Sequence, residues 1–326
     1  MFSSTQLRPL NIGEILDAAF RRYRAHLVTF LGITALLQVP MLILQVLIQH
    51  VLNGGALLDV ALYSTGGARS SSVSPFNGFP IRALIAIYLA AFGLSMLQYL
   101  VVYNLLNGAL AQAIARSFRD EPVAILDAYR IGWRAFFSLV VASLVPLLTS
   151  LLVLIPIIAA AFAVGIGLAA RGQNAATLTA VVAVLVGSVI ALALLCGAAF
   201  LYVRLLFATQ AVVFERCGPI QALRRSWNMT RGAFWRTLLI VVLMATLTYL
   251  VSSLPALVVN LVLTFTGGTG NLLRNSLITT LITQVGIILA LPLQLCTYTL
   301  LYYDQRVRRE GLDIELRAQI GEAALA

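Results

Sequence analysis

The chain contains no lysine; all 22 of its basic residues are arginine. Charge of either sign is scarce, at 10% of the 326 residues, against 60% hydrophobic. A soluble domain carries about 25% charged residues, so this chain cannot cover a water-facing surface. Histidine is almost absent, with only His26 and His50, and the three cysteines (Cys196, Cys217 and Cys296) form no CxxC pair. Zinc and redox motifs are therefore unsupported, and no metal or cofactor is expected. No carboxylate pair stands in a cleft-like context; Glu14, Asp17 and Asp127 read as helix-start or ion-pair charges. With no catalytic constellation, an enzyme is not expected. Gly267-Gly268-Thr269-Gly270 lacks the strand and lysine of a phosphate-binding loop and reads as a turn. The short alternating segments of a membrane β-barrel are missing too.

What the chain does have is long apolar sequence. Six runs stand out, roughly Leu27–Leu52, Ile81–Ala115, Phe136–Ala163, Ala175–Val213, Thr237–Leu263 and Leu277–Tyr303. Each reaches the roughly 20 residues needed to cross a bilayer. The expected fold class is all-α integral membrane, with six transmembrane helices. The N-terminus does not read as a signal peptide, because its polar lead is long and the first run exceeds a signal-peptide core. The second and fourth runs are longer than a bilayer needs, so they must tilt or extend past the headgroups. Pro40, Pro146, Pro156 and Pro255 sit in the odd runs and predict bends there.

The loops alternate. Those after the first, third and fifth runs (Asn53 to Pro80, Gly165 to Asn174, Thr266 to Asn275) are rich in Gly, Ser and Asn; the others are rich in Arg. Of the 22 arginines, 17 fall on the side of the termini and four, Arg69, Arg82, Arg171 and Arg274, on the other; Arg204 lies within a run. By the positive-inside rule, both termini face the cytoplasm. The arginines border apolar runs instead of forming a basic domain, so the +10 charge points to anionic lipid and not to nucleic acid.

A repeated segment leads into each odd run. Leu16, Leu126 and Leu223 align without gaps, and Arg24, Arg134 and Arg231 each fall eight residues later. The chain thus reads as a single membrane domain, 1–326, of three units near 10–119, 120–216 and 217–310, with an amphipathic tail at 311–326. Each unit is an interfacial elbow helix plus two spans. Asn11 and Glu14 have capping-box spacing, and Pro122 and Pro219 suit a first helical turn. Ile12, Ile15, Leu16, Ala19 and Tyr23 share one face of the first elbow. In the third, Ile220, Leu223 and Trp227 face one way and Arg224, Asn228 and Arg231 another. Such helices lie in the interface with arginine at the headgroups. Arg24, Arg134, Arg224, Arg225 and Arg231 are the candidate lipid- or anion-binding residues, with Arg224-Arg225 the leading pair.

Arg204 is the one charge well inside a run. It stands nineteen residues before Leu223, as Asn107 stands nineteen before Leu126. Arg204, Asn107, Asn104, Gln210 and Asp304 form a candidate set of intramembrane polar residues, and Asp304 is placed to pair with an arginine. They serve either a polar pathway or hydrogen bonding between helices. Two functions compete: a non-enzymatic module that binds or organises anionic lipid or partner membrane proteins, and a transporter or lipid-translocating protein with a path near Arg204. Three parallel units lack the inverted pairing common in transporters, which favours the first.

Leu10-Asn11-Ile12-Gly13-Glu14-Ile15-Leu16-Asp17-Ala18-Ala19-Phe20, Ala222-Leu223-Arg224-Arg225-Ser226-Trp227, Thr230-Arg231-Gly232, Phe234-Trp235-Arg236 and Tyr302-Tyr303-Asp304 with Arg306 to Gly311 carry a resemblance. The chain resembles bacterial multi-pass membrane proteins labelled as the membrane domain of glycerophosphoryl diester phosphodiesterase. That resemblance implies a bacterial cytoplasmic membrane and an undefined role. The phosphodiesterases themselves carry a soluble barrel with His, Glu and Asp around a metal, which this chain lacks, so the label implies architecture and not hydrolysis.

Overall fold

The structure, a computed structural model, describes residues 10–66, 81–117, 124–169, 174–265 and 272–310. Side chains are described for 10–50, 88–117, 124–130, 132–148, 185–265 and 274–310. Arg69, Pro122, Arg171, the Gly267–Gly270 turn, the 311–326 tail and the side chain of Arg82 lie outside these residues. Among the described residues all regular structure is helical: α1 (Ile12–Ala25), α2 (Leu27–Gly66), α3 (Ile81–Leu97), α4 (Asn104–Ser117), α5 (Ile125–Ala169), α6 (Asn174–Leu205), α7 (Ala208–Glu215), α8 (Pro219–Met229), α9 (Phe234–Phe265) and α10 (Leu272–Glu310). A π turn, Gln98–Tyr103, joins α3 to α4. Apolar surroundings leave backbone groups no water to bond, which selects helices.

Five stretches are long and apolar enough to cross a membrane: Leu27–His50, Tyr88–Ser117, Leu185–Glu215, Phe234–Phe265 and Arg274–Glu310. The third expected run contributes the shorter apolar helix Gly132–Leu148, where the described side chains of α5 stop at Leu148. Large apolar side chains on these helices face outward, with Val28 and Phe265 both 82% exposed. Outward-facing apolar side chains in such number suit lipid and not water.

The residues group into two compact units. The first takes residues 10–134 and 242–300; the second takes 135–241 and the end of the chain from Leu301. In the first unit α2 packs on α3, the π turn and α4, and α1 lies along α2. Phe30, Ile33, Leu106, Leu110 and Ile114 fill its core. Gly132 brings the start of α5 against α4, where a Cβ would stand 2.9 Å from the Ala109 nitrogen. In the second unit α8 packs on α7 and on the end of α6, over a core of Phe207, Ala211, Val212 and Tyr302.

Three sequence expectations need correction. Asn53 to Gly66 is not loop but the end of α2; in apolar surroundings Gly54-Gly55 does not outweigh the drive to keep the backbone bonded. The third run stays helical through Ala169, so the loop expected from Gly165 begins later. The second elbow is not a separate helix, because α5 runs unbroken from Ile125 through the following span. The first and third elbows are separate: a turn at His26 ends α1, and Gly232, at φ 76°, turns the chain between α8 and α9. Left-handed φ favours glycine, and among the described residues none with such a φ interrupts α5. The second and fourth runs are each interrupted, by the π turn at Gln98–Tyr103 and by a break at Leu206–Phe207 between α6 and α7. Pro40, Pro255 and Pro292 are carried inside α2, α9 and α10.

Gly286 marks a close approach of α9 and α10 within the first unit, since a Cβ there would overlap the backbone of Val251 and Ser252. Gly286→Ala is expected to lower stability by about 1–3 kcal/mol through overpacking. Gly93→Ala, where a Cβ meets nothing within 4 Å, is expected to raise it by roughly 0.5–1 kcal/mol. Thermal melts of the two purified variants in one detergent measure both.

Candidate functional site

The third elbow is where the polar chemistry of the second unit gathers. Gly218 supplies an extended N-cap and Pro219 opens α8, its fixed φ already suited to a first turn. The helix buries small residues, Ala222, Ser226 and Met229, so it can lie close against the helix break behind it. That break leaves backbone groups without intrahelical partners. Ser226 Oγ fills the gap on both sides: it accepts from the Phe207 N–H at 3.1 Å and donates to the Arg204 carbonyl at 2.7 Å. Sequence reasoning missed Ser226. The available signal was the Ala222-xxx-Ser226 pair, a small-residue spacing that permits close helix approach.

Arg204 sits in the last turn of α6, where the helix dipole favours a cation. Its guanidinium lies 5.0 Å from the ring centroids of both Phe200 and Trp227 and 6.0 Å from that of Phe234. Nη1 reaches the Trp227 carbonyl at 3.5 Å, and the buried Nε has no hydrogen-bond partner. Cation–π attraction in such a desolvated place is worth about 2 kcal/mol. The residue ties α6 to α8 and the start of α9.

Arg225 is held between two carboxylates. Its Nε lies 2.8 Å from Glu215 Oε2, and Nη2 is 2.6 Å from Glu310. Tyr302 also donates to Glu215, and Arg306 pairs with Glu310 at 3.1 Å. Burial by itself would lower the Arg225 pKa, but the bond and charge of Glu215, with the charge of Glu310, raise it above the usual arginine value. Arg216, at φ 51°, reverses the chain after α7 and brings Arg225 back to Glu215. Asp304, its carboxylate fully buried, pairs with Arg236 at 2.5 Å and Arg308 at 3.0 Å, as its position led us to expect. Arg309 donates to the Asn228 carbonyl at 2.7 Å.

Arg224 and Arg231 are different. Both are exposed and make no ion pair with the described residues. Beside them Ile220 and Trp235 are 79% and 78% exposed. In the first unit Arg24 and Arg134 are likewise exposed and unpaired among the described residues, next to the outward-facing Phe20 and Trp133. Arg22, by contrast, donates to the Ser117 carbonyl at the end of α4 at 2.6 Å.

Asn104 and Asn107 are both buried in the first unit. Asn104 Nδ2 donates to the Tyr99 and Leu100 carbonyls at 3.2 and 3.1 Å, within the π turn. Its function there is to satisfy acceptors that the altered helix leaves open. The match of Arg204 to Asn107 thus located two helix irregularities, although Asn104 supplies the bonds in the first. Gln210 is buried in α7 with an unpartnered Oε1.

Cys217 is partly buried between α7 and α8 and its thiol donates to the Ala211 carbonyl at 3.5 Å. Burial, then the negative charge of Glu215, push its pKa up. In a background with Cys196 and Cys296 changed to serine, the pH midpoint of maleimide labelling is expected above the free-thiol value of about 8.5. Glu215→Gln removes the charge and should move the midpoint down. Ser226→Ala leaves one buried donor and one buried acceptor open, at about 1–3 kcal/mol each. It is expected to lower the melting temperature markedly while Ser226→Thr keeps much of it.

Residues 10–305 match the family model described as a domain of unknown function, DUF7847. No curated protein and no solved structure matches the chain. The match spans nearly the whole chain, and this protein therefore belongs to the DUF7847 family.

Proposed function

We propose that this is a six-span, non-enzymatic protein of the bacterial cytoplasmic membrane, built of three elbow-led units with both termini in the cytoplasm. Its elbows hold anionic lipid headgroups, or the membrane proteins that such lipids surround, at the cytoplasmic face. The observation that carries this reading is the pairing of arginine that has no ion pair among the described residues with outward apolar side chains: Arg224 and Arg231 beside Ile220 and Trp235. An interfacial helix places apolar residues in the acyl boundary and arginine among phosphates, where the planar guanidinium binds in two-pronged fashion. Arg24 and Arg134 repeat the arrangement in the first unit. Arg225 is the less available member of the ligand set, because its Nε and Nη2 are engaged by Glu215 and Glu310.

The alternative, a transport path at Arg204, has less support. The guanidinium is stacked among Phe200, Trp227 and Phe234, which suits an anchor better than a moving ion's contact. The likeness to the glycerophosphoryl diester phosphodiesterase membrane domain enters this proposal as shared architecture alone.

A basic side chain near an anionic surface contributes about 1 kcal/mol. Arg224→Gln with Arg231→Gln is therefore expected to reduce retention of phosphatidic acid by about 30-fold. Native mass spectrometry of gently purified protein measures it, with melting temperature as the control for folding. Retention unchanged in a variant that also carries Arg24→Gln and Arg134→Gln would overturn the proposal.

A further inference from the structure

Within the first unit, an open cleft of about 230 Å³ lies between α2 and α10, lined by Gln45, Thr279, Thr280, Thr283, Gln284 and Ile287. Its lining offers acceptors. The Thr279 hydroxyl donates to the Asn275 and Ser276 carbonyls at 3.0 Å, and Thr283 donates to the Thr279 carbonyl at 2.8 Å. Each hydroxyl has thereby used its one proton and keeps lone pairs for a ligand. Gln284 spends its amide nitrogen on Gln45 Oε1 at 3.0 Å. Gln284 is 6% exposed, and its Oε1 is buried with no hydrogen-bond partner. An open acceptor of this kind calls for a donor from outside the protein.

The lining contains no charged side chain. An ammonium or phosphate would lose its hydration there and gain no counter-charge, whereas a hydroxyl can donate to the open acceptors at little cost. The volume is below the roughly 300 Å³ at which sites for drug-sized ligands begin, and limits the occupant to a few heavy atoms. Gln45 lies near the end of the Leu27–His50 span, and Thr279 to Gln284 lie near the start of the Arg274–Glu310 span, which is headgroup depth. We propose that this cleft binds a small neutral polyol with adjacent hydroxyls: the terminal glycerol of phosphatidylglycerol, or free glycerol. The inference does not depend on the elbow arginines.

The test uses the full-length protein in detergent with equimolar phosphatidylglycerol and phosphatidic acid, two anionic lipids of which only the first carries a terminal glycerol with free hydroxyls. Wild type is expected to retain phosphatidylglycerol about fivefold over phosphatidic acid, a factor typical of one buried hydrogen bond. Gln284→Met removes the open acceptor and Ile287→Trp fills the cleft without touching the hydrogen bonds. Each should abolish the preference while leaving phosphatidic acid retention unchanged; the arginine variants above instead lower both lipids together. A second arm measures melting in phosphatidylcholine nanodiscs with and without glycerol. Extra stabilisation of wild type over both variants, with no lipid preference, assigns the cleft to free polyol. If Gln284→Met fails to fold, Ile287→Trp decides alone. Wild-type and cleft-filled protein behaving alike in both arms would overturn the inference.

Discussion

A backbone group that apolar surroundings cannot satisfy is the constraint from which much of this structure follows. The fourth run breaks at Leu206–Phe207, and Ser226 meets one donor and one acceptor that the break leaves open there. To deliver that hydroxyl, α8 must lie against the break, which requires a face of small residues. The rest of the cluster is then placed by geometry. Trp227 follows Ser226 and comes to rest over Arg204; Arg225 precedes it and meets Glu215. A buried carboxylate–guanidinium pair is weak evidence of net stability, so the ionic network is better read as fixing the direction of α8 than as driving its docking.

The arginines divide into two populations. Arg204, Arg225, Arg236, Arg306 and Arg308 are engaged by rings or carboxylates of the second unit. Arg24, Arg134, Arg224 and Arg231 are exposed and unpaired among the described residues. The absence of lysine makes sense for the first group. Stacking over aromatic faces and forked pairing need a flat, weakly hydrated cation. Under the proposed function, the second group supplies guanidinium charge to the headgroups.

Much of the helical architecture was legible in the sequence, because hydropathy over a long run reports the solvent directly. One elbow face was legible for the same reason: Ile15 and Ala19, which share a face of α1, are both buried. The Glu14 carboxylate accepts from the Asn11 N–H at 2.8 Å, as the capping spacing required. What could not be read was the partner of each polar residue. Arg224 and Arg225 are adjacent and chemically identical, yet one is solvent-facing and the other bound to Glu215 and Glu310, ten and eighty-five residues away. Helix interruptions were equally hidden. Neither the π turn nor the Leu206–Phe207 break carries proline or glycine, so each is imposed by packing rather than by local preference.

The two interruptions also explain why the second and third elbows differ. At the π turn, Asn104 supplies the missing donors from its own helix. No hydroxyl has to arrive from elsewhere, and the following segment is free to merge into its span as α5. Its contact with α4 is a glycine face, Gly132 on Gly108 and Ala109, which asks for closeness and not for a particular side chain. At Leu206–Phe207 the run provides no such residue, and the hydroxyl must come from outside. An elbow lying across the break cannot also continue straight into α9, so the chain needs the turn that Gly232 makes at φ 76°. Tyr129, in register with Ser226, points its hydroxyl inward to the Ile33 carbonyl at 2.5 Å. The two aligned positions thus both carry a hydrogen-bonding side chain, and the continuity of each segment follows from where its neighbouring helix obtains its bonds.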